Sequence, residues 1–249
     1  MKREDIVGDA LDSTKEQLAE VDREKHLTKA VKMLECVQKS ISKKEERFRD
    51  WYSLHFPELV DEIEDIQTLT KILGSGIKRS EIDSFNQLAE SSKGSDITEK
   101  EIEIIQSVLE DLKSDLETRD ELETYINNLV EEEMPNLDKV LGTFLAAKMI
   151  ALAGGLDEMA KKPASTVQML GAEKALFRHM RGNGESPKHG ILFEHEYVNS
   201  LPEDQRGKMA RFIANKAVMA ARLDNYGDKD KGAEYREEIR QKHEELAEV

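Results

Sequence analysis

Between Gly8 and Gly74 the chain holds a single helix breaker, Pro57, and apolar residues recur through that stretch at steps of three and four. A strand needs alternation and a bounded run of β-branched residues; a breaker-poor stretch with a period near 3.6 can bury its apolar stripe only as a helix. Over residues 14–52 the stripe is Leu18, Val21, Leu27, Val31, Leu34, Ile41 and Phe48, closed by Trp51 and Tyr52. Pro57 suits the first turn of the next helix, with Glu58 well placed against its dipole. The run Leu59, Ile63, Ile66, Leu69 and Leu73 extends that helix to Gly74-Ser75-Gly76.

Residues 77–95 are a mixed segment. Beyond it Thr98, with Glu101 three residues on, has the capping-box pattern of a helix start. The stripe that follows is Ile102, Ile105, Leu109, Leu112 and Leu116, continuing through Leu122, Ile126 and Leu129. Two stripes, 59–73 and 102–129, joined by a reversal, predict an antiparallel coiled-coil hairpin through which copies of the chain self-associate. Burial of the same stripes against residues 14–52 is the alternative.

Residues 1–133 carry 19 basic and 34 acidic side chains, which accounts for the whole formal net charge of −15. Such an excess is either a solvated helix surface or an arm that steers a basic partner. Met134-Pro135-Asn136 marks a boundary, and Leu141 to Leu156, rich in Ala and Gly, suits close helix packing. Residues 227–249 are nearly all charged and predict a frayed or isolated surface helix. The expected fold is all-α: an N-terminal extension at 1–25, a helical stalk with an antiparallel coiled coil at 26–133, a globular helical domain at 134–226, and a charged tail at 227–249.

Several functions are excluded or disfavoured. Cys36 is alone, so no internal disulfide or cysteine-based zinc site is available, which suits a reducing compartment. No run approaches the ~18 apolar residues of a membrane span, and the first residues lack the apolar core of a signal peptide. A cytoplasmic protein with no membrane partner is expected. No phosphate-cradling loop or nucleophile elbow is found. Glu194-His195-Glu196, with His179 and His189, is the one cluster that a metal or a hydrolase could use, and its spacing matches no zinc pattern. The chain is therefore expected to be no enzyme, with no cofactor and no metal.

One region reverses the charge. Residues 161–224 hold eleven Lys and Arg against seven Asp and Glu, and a confined basic surface on an acidic chain reads as a site. Two loops within it, Arg181-Gly182-Asn183-Gly184 and Ser186-Pro187-Lys188-His189-Gly190, can bring backbone close to a partner.

These residues also carry a resemblance. Trp51-Tyr52-Ser53-Leu54-His55-Phe56-Pro57-Glu58-Leu59 looks like the junction motif of the Nop-domain proteins. Pro163-Ala164-Ser165-Thr166-Val167-Gln168-Met169-Leu170-Gly171-Ala172-Glu173-Lys174-Ala175-Leu176-Phe177-Arg178 is similar to the heart of their Nop domain. Pro187-Lys188-His189-Gly190 and Gln205-Arg206-Gly207-Lys208-Met209-Ala210-Arg211 complete the pattern. The likeness spans roughly residues 26–226 and is nearest in character to archaeal box C/D small ribonucleoprotein core proteins. Eukaryotic nucleolar counterparts and a U4 splicing factor are more distant.

The resemblance implies an all-α protein whose coiled coil dimerises and whose Nop domain grips box C/D-type or kink-turn RNA together with a small kink-turn-binding protein. In the archaeal particle a further N-terminal α/β module holds fibrillarin, which methylates ribose 2′-hydroxyls with S-adenosylmethionine. Only about 25 residues precede the first long helix here, so that module is expected to be missing and fibrillarin recruitment is not implied.

For the site itself, RNA helices expose backbone and 2′-hydroxyls rather than base edges, so cations and stacking groups are the residues to seek. Lys174 and Arg178 share a helix face and Arg181 follows at its end. Lys188 and His189 sit in a Pro- and Gly-bounded loop, where the imidazole is expected to stack on an extruded base. Arg206, Lys208 and Arg211 surround a helix start, with phosphate contact and intradomain ion pairing both open and Arg206 the foremost candidate for a phosphate, and Glu173 is a base or ribose acceptor, a helix cap or a salt-bridge partner. Lys216 falls later on the same helix. Arg222 reads as a structural pair with Asp224, and Leu170, Ala175, Leu176 and Phe177 read chiefly as core. The leading function is an RNA-binding scaffold; a coiled-coil adaptor without RNA contact is the alternative.

Overall fold

The computed structural model describes residues 23–183, 185–227 and 229–248, and these form helices and turns with no strand. Leu18, Val21 and the extension up to residue 22 lie outside the described residues. Among the described helices, none is long and apolar enough to cross a membrane. The chain divides into two compact units, Lys32–Tyr125 and the pair Met1–Val31 with Ile126–Val249.

The Lys32–Tyr125 unit is built from most of α1 (Arg23–Tyr52), α2 (Pro57–Glu62), α3 (Ile66–Leu73), two 3-10 turns at Arg79–Glu81 and Asp83–Phe85, α4 (Asn86–Ser91) and the first part of α5 (Glu99–Glu133). The expected helix over 57–73 is two helices. Ile63 is extended, and the Asp65 side chain accepts from the Thr68 N–H at 2.7 Å to start α3 afresh. A short carboxylate that can satisfy a free backbone donor competes with helix continuation. The capping box at α5 forms as expected: Glu101 Oε2 accepts from Thr98 N at 2.7 Å, and Thr98 Oγ1 accepts from Glu101 N at 3.4 Å.

One core cluster joins Ile41, Phe48 and Tyr52 of α1, Leu59, Leu69 and Leu73 of α2 and α3, and Ile105, Leu109, Leu112 and Leu116 of α5. Each fully buried leucine contributes about 1.5–3 kcal/mol over leaving it in water. Ser40 donates to Asp115 at 3.1 Å and Lys44 pairs with the same carboxylate at 2.8 Å, tying α1 to α5. Leu59, Ile66, Leu69 and Leu73 of the first stripe and Ile105, Leu109, Leu112 and Leu116 of the second are thus buried together within this unit.

The second unit is centred on α12 (Glu203–Tyr226). Against it lie α6 (Pro135–Leu141), α8 (Leu156–Lys161), α9 (Ala164–Gln168), α11 (Glu196–Asn199) and α13 (Gly232–Ala247), with α7 (Thr143–Ala153) beside α6 and α8. Ala210, Ala214, Ala217, Ala220 and Ala221 are fully buried along α12, and their small side chains let neighbouring backbones approach closely. Glu24 of α1 accepts from the Leu156 N–H at 2.8 Å, capping α8. Gly155 permits that approach: its φ is +131°, and a Cβ there would stand 2.7 Å from Glu24 Oε2.

The charged tail is not a lone helix. Tyr235, Ile239 and Leu246 of α13 are buried, three anchors aligned on one face where simple counting saw too few. Lys216 locks the joint, lying 4.9 Å from the Tyr235 ring centroid and 5.5 Å from that of Phe212 while pairing with Glu238.

Candidate nucleic-acid interface

The basic segment forms one edge of the second unit: α9, the turn at Gly171, α10 (Glu173–Met180), a loop to Gly190, and a 3-10 turn at Ile191–Glu194. Its scaffold is Gln168, a buried polar residue. Gln168 Nε2 donates to Lys188 O at 2.7 Å and Gly207 O at 3.4 Å, while its own carbonyl accepts from Gly190 N at 2.9 Å. The loop after α10 is therefore pinned to both α9 and α12. Gly190 is required there, because a Cβ would fall 1.8 Å from Leu170 O.

Lys174, Phe177 and Arg178 of α10, with Arg181 just past its end, follow i, i+3, i+4, i+7 spacing and fall on one side. All four are exposed. Among the described residues, none of the three cations is held in an ion pair. Phe177 is 60% exposed and Met180 72%. Phe177 was expected in the core, as were its neighbours; Leu170 is buried, Ala175 and Leu176 are half-buried, and Phe177 stands between the cations on the solvent face. The short α10 offers its apolar side too little cover to take in a residue on its far face. Glu173 Oε1 accepts from the Gly171 N–H at 2.9 Å, a bond to the turn before α10 rather than to the helix itself.

His189 is half-buried and stacks on Phe193, centroids 5.0 Å apart and planes at 19°. Burial, aided by the nearby Arg206 charge, holds its pKa below the ordinary histidine value, so the ring is neutral near pH 7. Arg206 is tied to the fold: Nε donates to Leu201 O at 2.8 Å, and the half-buried guanidinium lies 5.4 Å from the Phe193 centroid. Lys208 donates to Gln205 Oε1 at 3.0 Å, Lys188 lies 3.8 Å from Glu203, and Arg211 is exposed. Gln168 and Phe193 organise the surface, and nothing in their spacing singled them out beforehand.

Residues 33–245 match the family model described as "Nop: snoRNA binding domain, fibrillarin". The chain belongs to the Nop family.

The match runs past residue 226 into α13, in keeping with the burial of Tyr235 and Ile239. An uncharacterized NOP5 family protein of Methanocaldococcus jannaschii is 38% identical over 220 residues, 83% of this chain and 53% of that protein. Nucleolar protein 58 of Mycosarcoma maydis is 35% identical over 82% of this chain and 38% of its own length. Nucleolar protein 56 of Saccharomyces cerevisiae is 30% identical, over 89% and 48%. The chain thus spans about half the length of these relatives or less. A crystal structure of a fibrillarin/Nop5p complex aligns with a TM-score of 0.48 at 28% identity, covering 84% of this chain and 74% of that one.

One sequence expectation in this Nop domain fails on geometry. Arg222 does not pair with Asp224; its Nε donates to Ala160 O at 2.9 Å, while Asp224 faces α6. The histidines of the Glu194-His195-Glu196 region are held apart by their own partners. His195 is buried, with Nε2 3.2 Å from Val140 O and Nδ1 accepting from Tyr197 N, and Glu194 pairs with Lys148. Among the described residues, no group of three His, Cys, Asp or Glu is placed to share a metal ion.

Proposed function

We propose that this chain is a non-catalytic scaffold of a box C/D-like ribonucleoprotein, binding kink-turn RNA together with a small kink-turn-binding protein. The observation that carries the reading is the exposed α10 face, where, among the described residues, Lys174, Arg178 and Arg181 find no carboxylate in an acidic chain and flank an exposed Phe177. Unpaired cations suit phosphates, and an apolar side chain between them suits a protein neighbour. The family description as a snoRNA-binding domain points the same way.

A surface shared between RNA and protein gives full contact area only when both are present. A gel shift with box C/D RNA, with and without the kink-turn protein, tests this directly. Tight binding is expected in its presence and weak binding without it; indifference to the preassembled complex at low salt would overturn the reading. An adaptor that touches only protein is the competing outcome, recognised by binding that does not weaken with salt.

A further inference from the structure

Three lysines on α1 stand without counter-charge. Lys32, Lys39 and Lys43 are exposed, and among the described residues none of them is held in an ion pair or hydrogen bond. Among the described residues of this unit Lys71, Lys93, Lys100 and Lys113 hold no ion pair either, so what sets these three apart is their shared face on an acidic unit. Residues 32–125 carry thirteen basic and twenty-three acidic side chains, and the neighbouring cations Lys44, Arg47 and Arg49 each have a carboxylate partner.

At about 100° per residue the three lysines fall within an arc of about 40° and span about 17 Å of helix. Leu34, Ile41 and Phe48, all buried, lie on the opposite side of the same helix. Glu35 is within one turn of Lys32 and Lys39 yet stands roughly 60° round the helix from Lys32 and pairs with neither. The result is a straight cationic ridge, facing solvent, on an acidic unit.

We propose that this ridge binds the phosphate backbone of a nucleic-acid duplex, on a surface distinct from the α10 interface. A lysine is a compact point charge suited to phosphate and blind to base identity. The core of a protein–protein interface is depleted in lysine and built on apolar anchors, and this face has none between its charges. A helix that lies on a membrane turns its apolar side to the lipid, whereas here that side is buried in the unit's own core.

The test uses the full chain and fluorescence anisotropy with a straight, kink-free RNA duplex, its DNA equivalent, phosphatidylserine vesicles and polyglutamate. The Lys32→Gln/Lys39→Gln/Lys43→Gln variant should weaken duplex binding roughly tenfold or more, and flatten its log–log salt dependence by roughly two to three units, at ~0.9 per phosphate contacted. A Lys71→Gln/Lys93→Gln/Lys100→Gln variant removes the same charge from exposed positions elsewhere in the unit and should leave the slope nearly unchanged. Preference between the RNA and DNA arms identifies the source of the phosphates. Equal losses in the two variants, no loss in the first, or ridge-dependent capture of vesicles or polyglutamate instead of duplex would overturn the proposal. Binding to the kink-turn complex, measured in parallel, reports the α10 surface separately.

Discussion

Asp224, near the end of α12, caps the start of α6 through Asn136, 88 positions earlier in the chain. Asp224 Oδ1 accepts from Asn136 N at 3.0 Å and Nδ2 at 2.7 Å, and Oδ2 accepts from Leu137 N at 2.8 Å. Asn136 Oδ1 in turn accepts from Lys231 N at 2.7 Å and Gly232 N at 2.8 Å, where α13 begins. Two side chains therefore satisfy four backbone donors at two helix starts, and one junction serves α6, α12 and α13.

Asp224→Ala removes the acceptor and strands partly buried donors, so it should cost about 2–3 kcal/mol. A lowered urea midpoint, with faster amide exchange in both α6 and α13, is the expected result. Loss confined to α12 would show that the junction does not couple the three helices.

His55 makes stability depend on pH. Its ring is buried, with Nδ1 2.8 Å from Ser95 O and Nε2 accepting from Arg79 N at 3.3 Å. Burial holds its pKa below the ordinary value, and the Arg79 charge adds to the effect. A histidine harder to protonate folded than unfolded leaves stability intact above the unfolded value of about 6.5 and drains it as pH falls below that value, until the folded pKa is passed. The urea midpoint should therefore fall between about pH 7 and pH 5. His189 and His195, also lowered chiefly by burial, contribute to the same slope. His55→Gln should flatten it in part; an unchanged slope would exonerate this ring.

Gly190→Ala places a methyl against Leu170 O and disturbs two bonds at once, Gly190 N to Gln168 O and Ile191 N to Leu170 O at 2.7 Å. The loop that carries Lys188 and His189 should detach while α12 stays folded. Helical circular dichroism near the wild-type value, with RNA affinity down roughly tenfold (~1.4 kcal/mol), is expected. Wild-type affinity would remove the loop from the interface.

Arg178 and Arg206 should separate cleanly. Arg178→Gln is expected to reduce the salt slope of RNA binding by about one unit with little change in stability. Arg206→Ala, which strips the bond to Leu201 O and the contact with Phe193, should lower stability by about 1–2 kcal/mol with a smaller change in slope. The reverse pattern would return Arg206 to the phosphates.

Helix class, the capping box at Thr98 and Glu101, and the basic stretch that flagged α10 were all legible in residue order, because periodicity, caps and local charge act within a few residues of chain. The break at Ile63 was readable in principle, since Asp65 is a cap in plain sight, but an unbroken apolar stripe masked it. Other features came only with the fold. Whether Phe177 is covered, what partners Arg222, and whether Tyr235, Ile239 and Leu246 suffice to dock a charged tail depend on neighbours far along the chain, and even Arg206 is held by groups outside its own turn, Leu201 O and the Phe193 ring. A side chain's charge and period belong to the sequence; the carbonyls and rings that absorb or release that charge are brought beside it only by packing.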